Sequence, residues 1–597
     1  RTLWLKPILL KFRPSLWHMA SDAPALSVDA STASSSTRVV VDTSDGTIQG
    51  SEKDGCLVFR GVPYADAPTR FRRPAEARPW GGVLDCGRYG KMAVQPLVNP
   101  KSMKLAKWLL LRATGILPMQ PPEWEVQPEV LSEDCLSLNI TTPSLHGKRP
   151  VLCWIHGGAF VLGSGSQLVY RGIALSKHED VVLVTINYRL GCFGFLNVPG
   201  GDANCGSWDQ LQALRWINKE IHRFGGDPRR VTICGQSAGA MSCGVLLTSP
   251  LAQPFFQRAI LMSGALSNVM SNEDATAVGR MFCEKAGTPF DAEALRGLTA
   301  EQLLNVQAQL PGAMPYQPCV DGELIPDLPL QTLATGVVCL KSKQVMLGCT
   351  AREFNLFSPF NVSLRRKPLE DVLKKSVADL GSKRMALASS VEEQSSLEAE
   401  LRDLLKRVRM ARGTPNWTEV EKEFSNMMVF VVPSRLAAQQ LAKSAGAVFL
   451  YSIDFDAGRL GAAHAFELPL LFGVHTKNRV LKELSGAWRE PQAAEALSRS
   501  MMTCFSAFAR VGAPTPQDAD VGEAAALPRG DRGDALTALP QWPAYKPDSD
   551  PSVFVFDREC RVVKEAPSSV LNQAVAFFGR ARRPFGVVVG ATPSSRL

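Results

Sequence analysis

The chain has 597 residues, is 45% hydrophobic and 21% charged, and carries 11 tryptophans, which excludes a disordered or fibrous protein and allows a large buried core. Its net charge of +9 is spread thinly, with no basic block beyond the short R-A-R-R run at 580–583, so nucleic-acid binding is not expected. No stretch reaches the ~18 consecutive apolar residues of a bilayer-spanning helix, and no transmembrane segment is expected.

Along the chain, the first 19 residues mix basic and apolar side chains, but Lys6 and Pro7 break the apolar run and no small-residue cleavage site follows closely, which makes a poor secretory signal. Residues 20–37 are rich in Ala, Ser, Thr and Asp and complete a flexible extension over 1–37. Order begins near Val39. Short runs that are apolar throughout then recur: V-L-C-W-I at 151–155, V-V-L-V-T-I at 181–186, V-T-I-C at 231–234, A-I-L-M at 259–262, Q-V-M-L-G at 344–348 and A-V-F-L-Y at 447–451. Such runs suit strands covered on both faces. Helix candidates at 208–224 and 434–444 lie between them, so the expected fold class is α/β, with one large, mostly parallel sheet flanked by helices.

Two segments interrupt this alternation. Residues 101–128 form an insertion, either an apolar gorge lining or lid, or a surface loop with one buried helix; residues 364–425 are charged and helix-favouring and read as a helical cap over one sheet edge. Residues 515–540 read as a loop, the ordered domain is expected over 38–575, and 576–597 as a basic, flexible tail. The 14 cysteines include several inside apolar runs, such as Cys153 and Cys234, and contain no C-x-x-C pair, so structural zinc is not expected.

The run V-T-I-C is followed at once by G-Q-S-A-G, and then by the small-residue helix A-G-A-M-S-C-G-V-L-L. A strand that must lift one side chain above a sheet and begin a helix immediately needs a very tight turn. Gly235 and Gly239, two residues either side of Ser237, remove the Cβ atoms that would collide there. The pentapeptide alone is a weak signal, but this is its one occurrence in the chain and it lies between a strand and a helix. Ser237 is then a candidate nucleophile, and a serine nucleophile needs a base.

Seven histidines compete for that role. His18 lies in the extension, His146 and His178 in polar turns, His222 at a helix end, and His475 has no distinguishing context. His464, in the small-residue loop G-A-A-H-A-F-E-L-P after the strand at 447–451, stands where α/β sheets keep their chemistry. His156 opens H-G-G-A-F directly after V-L-C-W-I, and its two glycines suit an oxyanion hole better than a proton acceptor. Glu353, following the strand at 344–348, can orient the imidazole, and the chain order Ser237, Glu353, His464 is that of α/β-hydrolases.

With F-R-G-V-P-Y-A at 59–65, S-E-D-C-L-S-L-N-I at 132–140, N-Y-R-L-G-C-F-G-F-L at 187–196, F-G-G-D-P-R-R-V-T-I at 224–233 and H-A-F-E-L-P at 464–469, these residues resemble the type-B carboxylesterase and cholinesterase family of α/β-hydrolases, from about Val39 to about Phe556. The resemblance implies an α/β-hydrolase fold and a serine carboxylic ester hydrolase, with Ser237 as nucleophile, His464 as base and acid, Glu353 as orienting carboxylate, and the backbone amides of Gly157, Gly158 and Ala238 as oxyanion hole. It implies no cofactor and no metal, and a small-molecule ester as partner; it leaves oligomeric state and acyl preference open.

The departures carry information too. Where secreted members pair the cysteine of E-D-C-L, this chain has Ala93 opposite Cys135, with Cys86 as a possible substitute, and 287–296 lacks the second loop's cysteines. Missing bridges point to a reducing, intracellular and cytoplasmic setting, while Ser595, Arg596 and Leu597 are similar to a peroxisomal address. Gln236 replaces the glutamate that cholinesterases carry before the nucleophile, and Trp124 is offset by one residue from their choline-binding tryptophan, so uncharged, largely apolar esters are expected. Two alternatives stay open: a lipase or thioesterase on long acyl chains, and a catalytically silent binding protein on the same fold.

Overall fold

Seven strands run parallel through the middle of the sheet because each is apolar on both faces and has helices to bury them. The computed structural model describes residues 37–66, 69–96, 131–311, 314–357, 391–458, 460–515, 539–549, 551–566 and 569–579. The elements below all lie in the unit Arg38–Leu597. The 101–128 insertion with Trp124, residues 364–390 of the expected cap, nearly all of the 515–540 loop, the 1–36 extension and the last 18 residues, with Ser595–Leu597, fall outside the described residues.

In chain order the strands of the sheet are β1 (Arg38–Asp42), β2 (Thr47–Lys53), β3 (Cys56–Pro63), β4 (Val83–Asp85), β5 (Ser137–Thr142), β6 (Arg149–Ile155), β7 (Val182–Ile186), β8 (Gly226–Gln236), β9 (Arg258–Met262), β10 (Leu340–Thr350), β11 (Ala445–Ile453), β12 (Ser552–Phe556) and β13 (Arg561–Lys564). Their spatial order is 1-2-3-5-7-6-8-9-10-11-12-13, with β4 beside β2. Strands β7, β6, β8, β9, β10, β11 and β12 pair in parallel. The edges are antiparallel: β1, β2, β3 and β5 on one side, and β13 on the other. Strands β1 and β13 leave most residues exposed or half-exposed and β2 alternates half-buried with buried ones, so none of the three is covered on both faces as β6 to β11 are.

Strand β6 shows how the two faces are used. Val151, Cys153 and Ile155 join one core with Leu211, Leu214 and Ile217 of helix α1 (Cys205–Glu220) and with Ala240 and Cys243 of helix α2 (Ala238–Thr248). The alternate residues Leu152 and Trp154 face a second core with Leu497, Met501 and Phe505 of the later helix Pro491–Val511. Each fully buried side chain of this kind stabilises the fold by roughly 1.5–3 kcal/mol.

The helical cap is present in its described part. Helices α3 (Val391–Arg412), α4 (Trp417–Asn426) and α5 (Val432–Ser444) bury Leu404, Leu405, Val408, Phe424 and Val432 together. The same cluster takes in Ala574 and Val575 of helix Val570–Gly579. This helix runs to Gly579, four residues into the segment expected as a tail. The substitute disulfide through Cys86 is not formed: Cys86 and Cys135 are both free, buried thiols. The Cys86 backbone is tied to Gln49 and Arg60, and burial pushes its thiol up to about 12.

Register delivers the site. Ile155 pairs with Gly235, Gln236 with Met262, and Met262 with Gly348, so the carboxyl ends of β6, β8, β9 and β10 finish side by side. His156, Ser237, Ser263 and the turn bearing Glu353 follow those four ends.

Candidate active site

Ser237 sits between β8 and α2 at φ 57° and ψ −126°, a backbone conformation that costs a side-chain-bearing residue energy and is held only where the surroundings fix it. They do so here: the Ser237 amide donates to the Met262 carbonyl at 2.9 Å, and the Ser237 carbonyl accepts from the Met241 amide at 3.0 Å. A Cβ on Gly235 would lie 2.5 Å from the Gly239 carbonyl carbon, and one on Gly239 would lie 2.0 Å from the Ile155 carbonyl oxygen. The sharp turn expected from the spacing of these glycines is therefore a close backbone crossing between β8, α2 and the end of β6.

Glu353 is fully buried in the short turn Glu353–Asn355 after β10. Its Oε1 accepts from the Ser263 hydroxyl at 2.5 Å and from the Thr350 amide at 2.6 Å, while Oε2 lies 2.5 Å from His464 Nδ1. A carboxylate oxygen accepts, so Nδ1 donates the hydrogen of this contact, and Nε2 is the ring nitrogen that faces away from Glu353. The loop that presents His464 is anchored through Arg352, whose amide donates to the Ala462 carbonyl at 2.9 Å. The Phe357 and Phe430 rings pack beside the imidazole at tilted angles, their centroids 5.1 and 4.8 Å from it.

The structure thus brings Glu353 and His464 into direct contact, with Ser237 next to Gln236, which touches His464 from the other side. Gln236 Nε2 is 3.0 Å from His464 Nε2, and among the described residues no hydrogen bond joins Nε2 to the Ser237 hydroxyl. Sequence reasoning missed Ser263 and the reach of Gln236. Ser263 directly follows the A-I-L-M run, and its position at a strand's carboxyl end was the available signal.

The glycines after β6 come close to the serine. A Cβ on Gly157 would stand 3.2 Å from Ser237 Cβ and 2.5 Å from the Gln236 carbonyl oxygen. Gly158, at φ 120°, accepts through its carbonyl from the amides of Val161 and Leu162, and a Cβ there would meet the Leu162 carbonyl oxygen at 2.1 Å. Ala238 is the first residue of α2, where helix amides are unpaired and favour negative charge. His156 is structural: burial holds its imidazole down at about 4, its Nδ1 donates to the Gly157 carbonyl at 2.9 Å, and its ring stacks on Tyr188 at 4.4 Å.

Of the other histidines, His475 is buried with Nε2 3.1 Å from Glu495, and His222 is exposed. A second carboxyl, Glu467, lies three residues beyond His464, 2% exposed, with neither oxygen hydrogen-bonded among the described residues. Burial, reinforced by the charge of Glu353, pushes it well above the ordinary carboxyl range. Among the described residues no group of three His, Cys, Asp or Glu could hold a metal ion, and no helix is long and apolar enough to cross a membrane.

Comparison with known proteins points one way. A model of the carboxylesterase family matches residues 37–575. The chain is 31% identical over 508 residues to the para-nitrobenzyl esterase of Bacillus subtilis, covering 81% of this chain and 91% of that protein. It is 30% identical over 541 residues to the phenmedipham hydrolase of Pseudarthrobacter oxydans, covering 88% and 96%. Among solved structures, a carboxylesterase of Geobacillus stearothermophilus superimposes with a TM-score of 0.70 at 33% identity, over 90% of this chain and all of that one.

Proposed function

The chain belongs to the carboxylesterase family of α/β-hydrolases and is a carboxylic ester hydrolase, and we propose that it cleaves uncharged, largely apolar esters through Ser237, His464 and Glu353 by way of an acyl-enzyme. The observation that carries this reading is the buried contact of Glu353 Oε2 with His464 Nδ1 at 2.5 Å, with the strained Ser237 directly following Gln236, the residue that reaches His464 Nε2. The Ser237 hydroxyl attacks the ester carbonyl while His464 Nε2 takes its proton. Negative charge on the former carbonyl oxygen falls to the amides of Gly157, Gly158 and Ala238. The tetrahedral intermediate collapses, His464 returns the proton to the departing alcohol, and the acyl group stays on Ser237. Water, deprotonated by His464, then releases the acid and restores the serine.

Two features favour an uncharged substrate. The residue before the nucleophile, Gln236, is neutral and buried. The imidazole is walled by the Phe357 and Phe430 rings, which stack at 5.8 Å and offer apolar faces to an ester.

The test is burst-phase hydrolysis of p-nitrophenyl acetate, butyrate and decanoate beside Ser237→Ala. A stoichiometric burst and turnover that both vanish in the variant support the acyl-enzyme, and the preferred chain length separates a short-ester from a long-acyl enzyme. Wild-type protein showing neither turnover nor covalent capture by an organophosphate would sink the reading.

A further inference from the structure

Positive charge that is spread thinly along the chain is gathered by the sheet at its amino end. Two register shifts push basic segments out there. Pro150 of β6 faces Asp227, Pro228, Arg229 and Arg230 of β8, and Gly446 of β11 faces Lys341, Ser342 and Lys343 of β10. Arg258 of β9 pairs with Thr232 of β8 and Gln344 of β10, and so stands between the two bulges. The Lys343 ammonium donates to the Gln253 carbonyl at 2.8 Å, Arg258 Nη1 donates to the Ala509 carbonyl at 3.1 Å, and Lys443 lies in the last turn of α5, two residues before Ala445, which pairs with Leu340. The stretches 226–231, 249–258, 335–344, 443–447 and 509–513 therefore meet at this end, and they hold seven cations against one carboxylate, Asp227. Asp227 is shared by Arg229 and Arg230, and the next carboxylate along, Asp180, is held by Arg149 at 2.6 Å. The excess is felt at Arg258, where burial and the charge of Arg230 push the guanidinium down to about 10.

Apolar side chains stand among these cations. Leu251, Val337 and Val511 are three of the nine large apolar side chains exposed among the described residues, and Val337 is 60% exposed. Leu251 comes shortly before the Gln253 that Lys343 holds, Val337 shortly before Lys341, and Val511 adjoins Gly512, where an added Cβ would lie 3.1 Å from Arg258 Nε. A soluble polyanion offers apolar side chains nothing, whereas the headgroup region of an anionic bilayer takes up both kinds. We propose that the amino end of the sheet is a docking face for an anionic membrane surface, its cations meeting lipid phosphates and carboxylates and its exposed Leu251, Val337 and Val511 entering the headgroup layer. The candidate active site lies at the opposite end of the same strands. Val231 to Gln236 separate Arg230 from Ser237 by about 20 Å of strand, so docking leaves that site facing away from the bilayer. The face stands on its own charges and does not depend on the esterase reading.

The experiment measures co-sedimentation of the full chain with phosphatidylcholine vesicles carrying about 30% phosphatidylserine, and with vesicles of phosphatidylcholine alone, at about 0.1 M salt. Wild type binds the first and not the second, and is released at about 0.5 M salt, where exposed charges are screened. Arg229→Glu, Lys341→Glu and Lys443→Glu together reverse three exposed cations of the face and weaken binding about a hundredfold or more. Lys285→Glu, Lys406→Glu and Lys477→Glu together change the net charge equally at exposed positions elsewhere, and keep binding within about threefold. Leu251→Ser with Val337→Ser weakens vesicle binding several-fold and leaves binding to heparin, a soluble polyanion, unchanged. Thermal melts matching wild type report an intact fold, whether or not the protein hydrolyses esters. Wild type that stays in the supernatant, that binds both vesicles alike, or that loses binding equally in the two triple variants overturns the proposal. Retention on heparin without vesicle binding also overturns it and assigns the face to a soluble polyanion. Undiminished vesicle binding by the serine pair overturns it too, because the apolar side chains are what assign the face to a bilayer.

Discussion

Replacing Gly239 by alanine tests whether the turn at Ser237 is set by backbone crowding. The added Cβ would lie 2.0 Å from the Ile155 carbonyl oxygen, 2.9 Å from the Ile155 carbonyl carbon and 3.0 Å from the His156 carbonyl carbon, all backbone at the end of β6. None of these atoms can swing aside as a flexible side chain could. Restoring van der Waals separation requires α2 and β6 to part by on the order of 1 Å. Overpacking of this kind costs about 1–3 kcal/mol, and the rigid obstacle puts Gly239→Ala at the upper end. The same shift would move Ser237 away from His464 and the Gly157 amide, and a misplacement of ~1 Å costs on the order of a hundredfold in rate. Urea unfolding gives the first quantity, and kcat/KM with burst amplitude for p-nitrophenyl butyrate the second. Gly297→Ala is the control, because Gly297 has φ −69° and its Cβ would meet only the Ala294 carbonyl oxygen at 3.6 Å. It should stay within about 0.5 kcal/mol and keep full activity. A Gly239→Ala protein matching wild type in both midpoint and kcat/KM would refute the crowding argument.

Two pH-linked stabilities follow from buried groups near the site. Burial raises the Glu467 carboxyl well above its ordinary range in the folded chain, so its contribution is complete below the ordinary glutamate range and is lost as pH rises towards its raised folded value. Glu467→Gln should accordingly gain stability over wild type between pH 5 and 8, by at most ~1.4 kcal/mol per pH unit in urea midpoints, and a difference flat with pH would contradict this. His156 works in the opposite direction: held at about 4 against an ordinary 6.5, its contribution is present above pH 6.5 and lost as pH falls through 4. His156→Gln should therefore lose less stability than wild type on acidification across that window, by up to roughly 3 kcal/mol in urea midpoints, and equal losses would show that the imidazole is not buried neutral.

The sequence by itself determined the elements whose signal is local. Continuous apolar runs mark the strands from Val151 to Tyr451, because a strand buried on both faces tolerates no polar alternation. The glycines around Ser237 are legible because a strand turning directly into a helix leaves no room for Cβ atoms. Glu353 and His464 could be singled out by their places after strands. Their contact depends on the register that sets the carboxyl ends of β8, β9, β10 and β11 side by side. Tertiary structure alone decided what those groups meet. Ser263 reaches Glu353 from a neighbouring strand, Gln236 bonds His464 across 228 positions of sequence, and Glu467 is left without a hydrogen-bond partner. The edge strands β1 and β13 were likewise hidden, since most of their residues are exposed or half-exposed. Local pattern reports how a segment is covered, whereas hydrogen-bond partners and protonation states are properties of a packed neighbourhood assembled from strands far apart in the chain.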